Sequence, residues 1–135
     1  EVDGAILDAT ILNVGNPQCA VFVDEFPSQW RELGKRIEWH PLFPNRTNVS
    51  FVKVVDEHTV DVLFWERGAG ETMSSGTGST GAAAAAVLRK TVKSPIDVRT
   101  PAGVLPVRWD STGLFLTGPA EIVARGEFYF ESESS

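Results

Sequence analysis

The stretch that most constrains this chain runs Gly76-Thr77-Gly78-Ser79-Thr80-Gly81, then five alanines, Ala82 to Ala86, then Val87-Leu88-Arg89. Alanine is the best helix former, so the run predicts a helix from about Gly76 to Arg89. Such a helix has no large apolar stripe of its own. It makes sense as a central, buried element that strands approach closely, with residues 82–86 inside. Leu88-Arg89-Lys90 places cations at its C-terminal end, where the helix dipole favours them.

Most of the remaining chain reads as short strands bounded by turn residues, those at 48–55 and 59–65 rich in Val and Phe. They are expected at 9–13, 19–23, 48–55, 59–65, 96–100, 104–109, 114–117 and 122–130. Asp56-Glu57-His58 reads as a hairpin turn, and Pro101-Ala102-Gly103 and Gly118-Pro119 as further turns. A second helix is expected after Ser28 as its cap, with Trp30, Leu33, Ile37 and Trp39 on one side. The fold class is therefore α+β: a curled, mostly antiparallel sheet of about eight strands around one central helix. With 135 residues, the chain suits a single domain over 1–130, followed by a disordered tail at 131–135.

Charge and composition narrow the function. A net charge of −6 argues against a nucleic-acid surface, which needs clustered Lys and Arg. One cysteine, Cys19, excludes an internal disulfide and a multi-cysteine zinc site, and two isolated histidines make no metal site. No apolar run approaches the ~20 residues of a membrane span. Neither a span nor a signal pattern is legible, so a cytoplasmic location is expected. Cys19, in a strand, reads as a small core residue, and His40 as a loop hydrogen-bonder. The tryptophans read as packing.

The chemistry concentrates in Trp65-Glu66-Arg67-Gly68-Ala69-Gly70-Glu71-Thr72-Met73-Ser74-Ser75-Gly76-Thr77-Gly78. A strand ends, a ten-residue glycine-rich loop follows, and the central helix begins. The first N–H groups of a helix, here those of Gly76, Thr77 and Gly78, lack intrahelical partners and with the dipole attract a carboxylate or phosphate. Glu66 and Arg67 together suit an amino-acid zwitterion. On residue types alone, a surface ion pair beside a capped, buried helix explains the stretch equally well. Residues 76–81 also match the dinucleotide fingerprint GxGxxG. That fingerprint should follow a strand directly, with an acid about 20 residues on, and neither holds. A P-loop and a GxSxG nucleophile elbow are both absent.

The segment Glu66-Arg67-Gly68-Ala69-Gly70-Glu71-Thr72, followed by Gly76-Thr77-Gly78, resembles the diaminopimelate epimerase signature. Gly15-Asn16-Pro17-Gln18 is similar to that family's Gly-Asn-Pro-His segment. His40-Pro41-Leu42-Phe43-Pro44-Asn45-Arg46-Thr47-Asn48-Val49 resembles the loop that supplies a second substrate asparagine. Leu116-Thr117-Gly118-Pro119-Ala120 resembles the closing strand turn. The resemblance covers nearly the whole chain and the C-terminal half of the family's proteins.

It implies a cofactor-independent isomerase without pyridoxal phosphate or metal, acting on a small amino-acid substrate between LL and meso forms, in lysine and peptidoglycan biosynthesis. One cysteine from each domain faces the substrate α-carbon; one takes a proton and the other delivers one. Carried over, Asn16, Asn48, Glu66 and Arg67 contact the substrate's distal or amino groups, and the N–H groups of Gly76 and Thr77 bind a carboxylate. The thiol position, proton donor or acceptor, falls on Ser75. Serine there and Gln18 in place of histidine depart from the family pattern. A serine hydroxyl is far less acidic than a thiol, so Ser75 is a poor resting base. A one-base relative, a non-catalytic amino-acid-binding domain or a dimerisation module therefore stays open as an alternative. Without the N-terminal domain, the chain alone is expected to be inactive and to pair as a homodimer.

Overall fold

The computed structural model describes residues 1–2, 4–118 and 125–127. Eight strands and two helices follow one another as β1 (Ala9–Asn13), β2 (Pro17–Phe22), α1 (Trp30–Glu38), β3 (Asn48–Asp56), β4 (Thr59–Glu66), β5 (Gly70–Thr72), α2 (Gly76–Leu88), β6 (Ile96–Thr100), β7 (Gly103–Asp110) and β8 (Gly113–Leu116). The strands form one sheet in the order β1-β2-β3-β4-β6-β7-β8, with β5 paired to β4 beside this path. Most pairs are antiparallel, but β2 with β3 and β4 with β6 are parallel. The sheet curls around α2, which touches every strand except β5. This is the expected architecture. The strand expected over 122–130, Pro119 and Ala120 of the closing turn, and the tail at 131–135 fall mainly or wholly outside the described residues.

The central strands are buried on both faces, and this explains their nearly continuous apolar runs. Ala20, Val52, Val60, Val62 and Phe64 face α2 and join its alanines, together with Ile96, Val98 and Val107. Cys19, Val21, Val49 and Phe51 face the other way and pack with Trp30 and Ile37 of α1. One strand thus feeds two cores by simple alternation of its side chains. β6 to β8 have only the α2 side covered, so Asp97, Arg99 and Arg108 alternate outward.

Residues 82–86 are buried as expected, none more than 4% exposed. Two expectations about α1 are corrected. Gln29, not Ser28, occupies the cap position, and no side chain caps the helix; the Ser28 hydroxyl donates to Gln29 Oε1 instead. Trp39 is not on the buried face. It ends the helix and is 63% exposed, with the Arg46 guanidinium stacked over its ring. Among the described residues no helix is long and apolar enough to cross a membrane.

Candidate functional site at the start of the central helix

The topology gathers the expected site residues at one end of the sheet. β2 and β3 run parallel, and Gln18 sits beside Asn48 in their register. β4 runs antiparallel to β3, placing its last residues next to β3's first: Val49 lies opposite Trp65. α2 begins at this same end. The glycine-rich stretch is less of a loop than the sequence suggests. β5 folds back on β4, with Glu66 opposite Gly70 and Phe64 opposite Thr72. The turn between them closes by a bond from Ala69 N to Glu66 O. Glycine hid this strand, because glycine is normally depleted in strands.

Ser75 is the N-cap of α2. Its backbone is extended, and its Oγ accepts from the N–H of Gly78 at 3.0 Å. Its carbonyl accepts the first helical bond, from Ser79 N. The expectation that Gly78 would keep a free N–H is therefore corrected: Ser75 occupies it. The N–H groups of Gly76 and Thr77 have no protein partner among the described residues, and both residues are exposed. The glycines reflect packing. A Cβ on Gly78 would lie 2.8 Å from the Phe64 ring, and one on Gly81 would lie 3.2 Å from Gln18 Cγ. The apparent dinucleotide fingerprint is the footprint of a helix pressed onto two side chains.

Asn16 is the last residue of the turn joining β1 to β2. Its Nδ2 reaches Thr77 Oγ1 at 3.5 Å, and its Oδ1 accepts from Gln18 Nε2 at 2.8 Å. Gln18 is 2% exposed, and its Oε1 is buried without a partner. Asn48 is a bridge: its Nδ2 donates to Pro17 O at 3.2 Å, and its Oδ1 accepts from Arg67 N at 2.8 Å. The Arg67 guanidinium donates to Asn45 O at 3.2 Å. Glu66 Oε1 accepts from Thr72 Oγ1 at 3.1 Å.

The structure thus brings Asn16, Gln18, Thr77 and Ser75 together at the helix start, and Asn48 and Arg67 together at the end of β4. Asn48 and Pro17 join the two groups. No direct bond links Ser75 to Glu66 or Arg67 among the described residues. Thr72 and Glu38 were not singled out by sequence reading. The available signal for Glu38 was an acid at the C-terminal end of an amphipathic helix, where the dipole disfavours it.

Cys19 is buried on β2, and burial pushes its thiol up to about 11, so it is protonated near neutrality and unsuited to act as a base. His40 accepts from Leu42 N through Nδ1, which leaves Nε2 to donate to Glu1 O; it is a loop hydrogen-bonder. Among the described residues no three His, Cys, Asp or Glu side chains gather to hold a metal. Chemically, the site offers two open N–H groups and a hydroxyl at a helix N-terminus. Asparagine, glutamate and arginine stand on neighbouring strand ends.

The profile of the diaminopimelate epimerase family matches residues 10–123. A diaminopimelate epimerase of Pseudomonas entomophila is 41% identical over 130 residues, covering 94% of this chain and 47% of that protein. One of Pelotomaculum thermopropionicum is 38% identical over 134 residues, covering 98% of this chain and 48% of that protein. The chain spans about half the length of these relatives. Among solved structures, a phenazine biosynthesis PhzC/PhzF protein of Clostridium difficile aligns with a TM-score of 0.55 at 17% identity, over 78% of this chain and 39% of that one. A PhzF-family protein of Enterococcus faecalis aligns with 0.56 at 14% identity, with the same coverage. At such identities the likeness concerns the fold alone.

Proposed function

This chain belongs to the diaminopimelate epimerase family, and from that we propose that it is the C-terminal half of a cofactor-independent epimerase interconverting LL- and meso-diaminopimelate. The observation that carries the reading is the first turn of α2. The N–H groups of Gly76 and Thr77 stand open beside Asn16, at the positive end of a buried helix. A substrate α-carboxylate fits there. Glu66 and Arg67 receive the substrate's distal or amino groups, and the Ser75 hydroxyl stands where the family places a thiol.

Gly78 N–H already occupies one lone pair of Ser75 Oγ. The hydroxyl hydrogen remains to be given. Ser75 therefore suits the donor side of the reaction. A base from the other domain takes the α-proton, the resulting carbanion takes the hydroxyl hydrogen, and the Gly78 N–H holds the alkoxide until it regains a proton from water, while the protonated base returns its own proton to the solvent. With only one domain, one face of the substrate has no reacting group, and two-base catalysis depends on both groups being held in place. The chain alone is inactive in this account. Met73 and Leu116, beside the helix start, are 53% and 39% exposed; in the isolated chain a second copy covers such residues, giving a homodimer visible by sedimentation.

The test is α-proton exchange with LL-diaminopimelate in deuterated water. The full-length protein should incorporate deuterium and invert the centre, and this chain alone should do neither. Enzyme-like exchange by the chain alone, or none by the full-length protein, would overturn the reading. The engagement of Ser75 as a helix cap favours a second reading, a one-base relative or a non-catalytic amino-acid-binding domain. Exchange without inversion would identify the first, and binding without exchange the second.

A further inference from the structure

Glu38, the last residue of α1, is 4% exposed. A buried carboxylate is costly unless it is paired and hydrogen-bonded, and the C-terminal end of a helix repels it further. Its contacts explain its presence. Oε1 accepts from the Trp65 indole Nε1 at 3.0 Å. Oε2 accepts from Gly68 N at 3.0 Å and from Arg46 Nη1 at 3.1 Å. Three donors, two from the end of β4 and its turn and one from the loop before β3, thus converge on one side chain.

Two of them bear on the turn after β4. Gly68 directly follows Arg67, and Trp65 directly precedes Glu66. The Trp65 side chain is seated on Gly34 of α1, where a Cβ would lie 2.7 Å from Trp65 Cβ. That close approach brings the indole within reach of Glu38. On the other side of the turn, Asn48 Oδ1 holds the N–H of Arg67. Two successive backbone N–H groups, those of Arg67 and Gly68, are therefore fixed by side-chain acceptors from different elements. Among the described residues Glu38 makes no hydrogen bond or ion pair to the side chain of Glu66 or Arg67. It holds the backbone from which both project.

We infer that Glu38 is the positioning residue of the substrate-binding turn, acting through Gly68 and Trp65 to set where Glu66 and Arg67 meet the amino-acid ligand. The inference rests on the function proposed above for that pair. Contacts made equally in ground and transition states govern KM and leave kcat alone, and contacts to the distal or amino groups, which carry none of the transferred protons, are taken to be of that kind.

In the full-length protein, Glu38→Ala is expected to raise KM for diaminopimelate about tenfold with kcat within about threefold. A merely structural residue would lower thermal stability and the active fraction while leaving KM unchanged, and that result would overturn the inference. If Glu38→Ala does not fold, Glu38→Gln decides. It keeps the shape and one acceptor oxygen, and KM should rise about threefold; an unchanged KM would be contrary. If the unmodified protein turns over no diaminopimelate, the proposed function fails independently. The role of Glu38 is then read in this chain, by amide exchange in Glu38→Gln. Gly68 should exchange about tenfold faster while Ala83 to Ala86 keep their protection. Equal protection at Gly68 would count against the inference.

Discussion

The two helices of this domain are stabilised in opposite ways. α1 lies on the outer face of the sheet, against β3, β4 and β5, and buries large side chains, Trp30 and Ile37, against Cys19, Val21 and Phe51. Trp30 meets the Phe51 ring edge-on, with centroids 6.0 Å apart. α2 lies inside the curl and buries five alanines and two glycines on all sides. α1 can be read from its period. α2 can be read only from the absence of one, since a helix without bulk must be surrounded. The difference extends to their ends. α1 begins without a side-chain cap, while α2 begins with Ser75 capping Gly78 and two N–H groups left open. The element with the least side chain carries the candidate site, because small residues let strands approach its backbone.

Opposite size rules should follow. Ile37, 3% exposed, should tolerate no truncation, and Ile37→Ala should cost about 2–5 kcal/mol. Ala85, fully buried, should tolerate no enlargement, and Ala85→Leu should cost about 1–3 kcal/mol. Urea denaturation of both variants checks this. If Ala85→Leu were neutral, α2 would not be tightly enclosed, and the contrast between the helices would break.

The caps sharpen the comparison at a smaller scale. Ser75→Ala should cost about 1 kcal/mol by freeing Gly78 N–H, while Ser28→Ala should stay within about 0.5 kcal/mol, as surface changes usually do. Thermal unfolding of the pair reads the difference.

The smallest expected effect is electrostatic. Each helix is tied down by an exposed ion pair: Arg31 of α1 to Glu71 of β5 at 2.7 Å, and Arg89 at the end of α2 to Asp8. The hydrogen bond from Arg31 holds Glu71 below its usual value, and the one from Arg89 does the same for Asp8. Carboxylates with lowered folded-state values stabilise the fold above their unfolded values, near about 4, and lose that contribution as pH falls through the lowered values. The urea midpoint should therefore fall on acidification below about pH 4, and fall less in Glu71→Gln. Both pairs are exposed, so salt should weaken the effect.

Local signals carried most of the fold. Apolar runs bounded by turn residues marked β1, β2, β3, β4, β6, β7 and β8 within two residues, and Gly76 marks the start of α2 as expected. The parallel pairing of β2 with β3 and of β4 with β6 was not legible, because each joins strands separated by a helix and no turn specifies the register. β5 was hidden by its glycine. Ser28 followed cap preference one residue before the true cap, and Trp39 followed periodicity one residue past the end of α1, where helix boundaries are least certain. At the site, the Gly-rich run at Gly76 and Thr77 announced a helix start with open N–H groups, while Asn16 and Ser75 were legible only through the resemblance to the family. That Asn48 bridges Pro17 to Arg67, and that Glu38 holds Gly68, depends on contacts 19 to 31 residues apart along the chain. No local pattern encodes such pairs.

The central claim is that the open start of α2 receives a substrate carboxylate. Amide chemical shifts of this chain, followed while LL-diaminopimelate is added, test it most directly. Binding should be weak, since a helix-end interaction is worth about 0.3–1 kcal/mol when exposed. The largest shifts should fall on Gly76 and Thr77, with smaller ones at Ser75, Asn16 and Arg67. If residues 75–78 stay unmoved while shifts gather elsewhere on the domain, the site described here is not where the ligand binds.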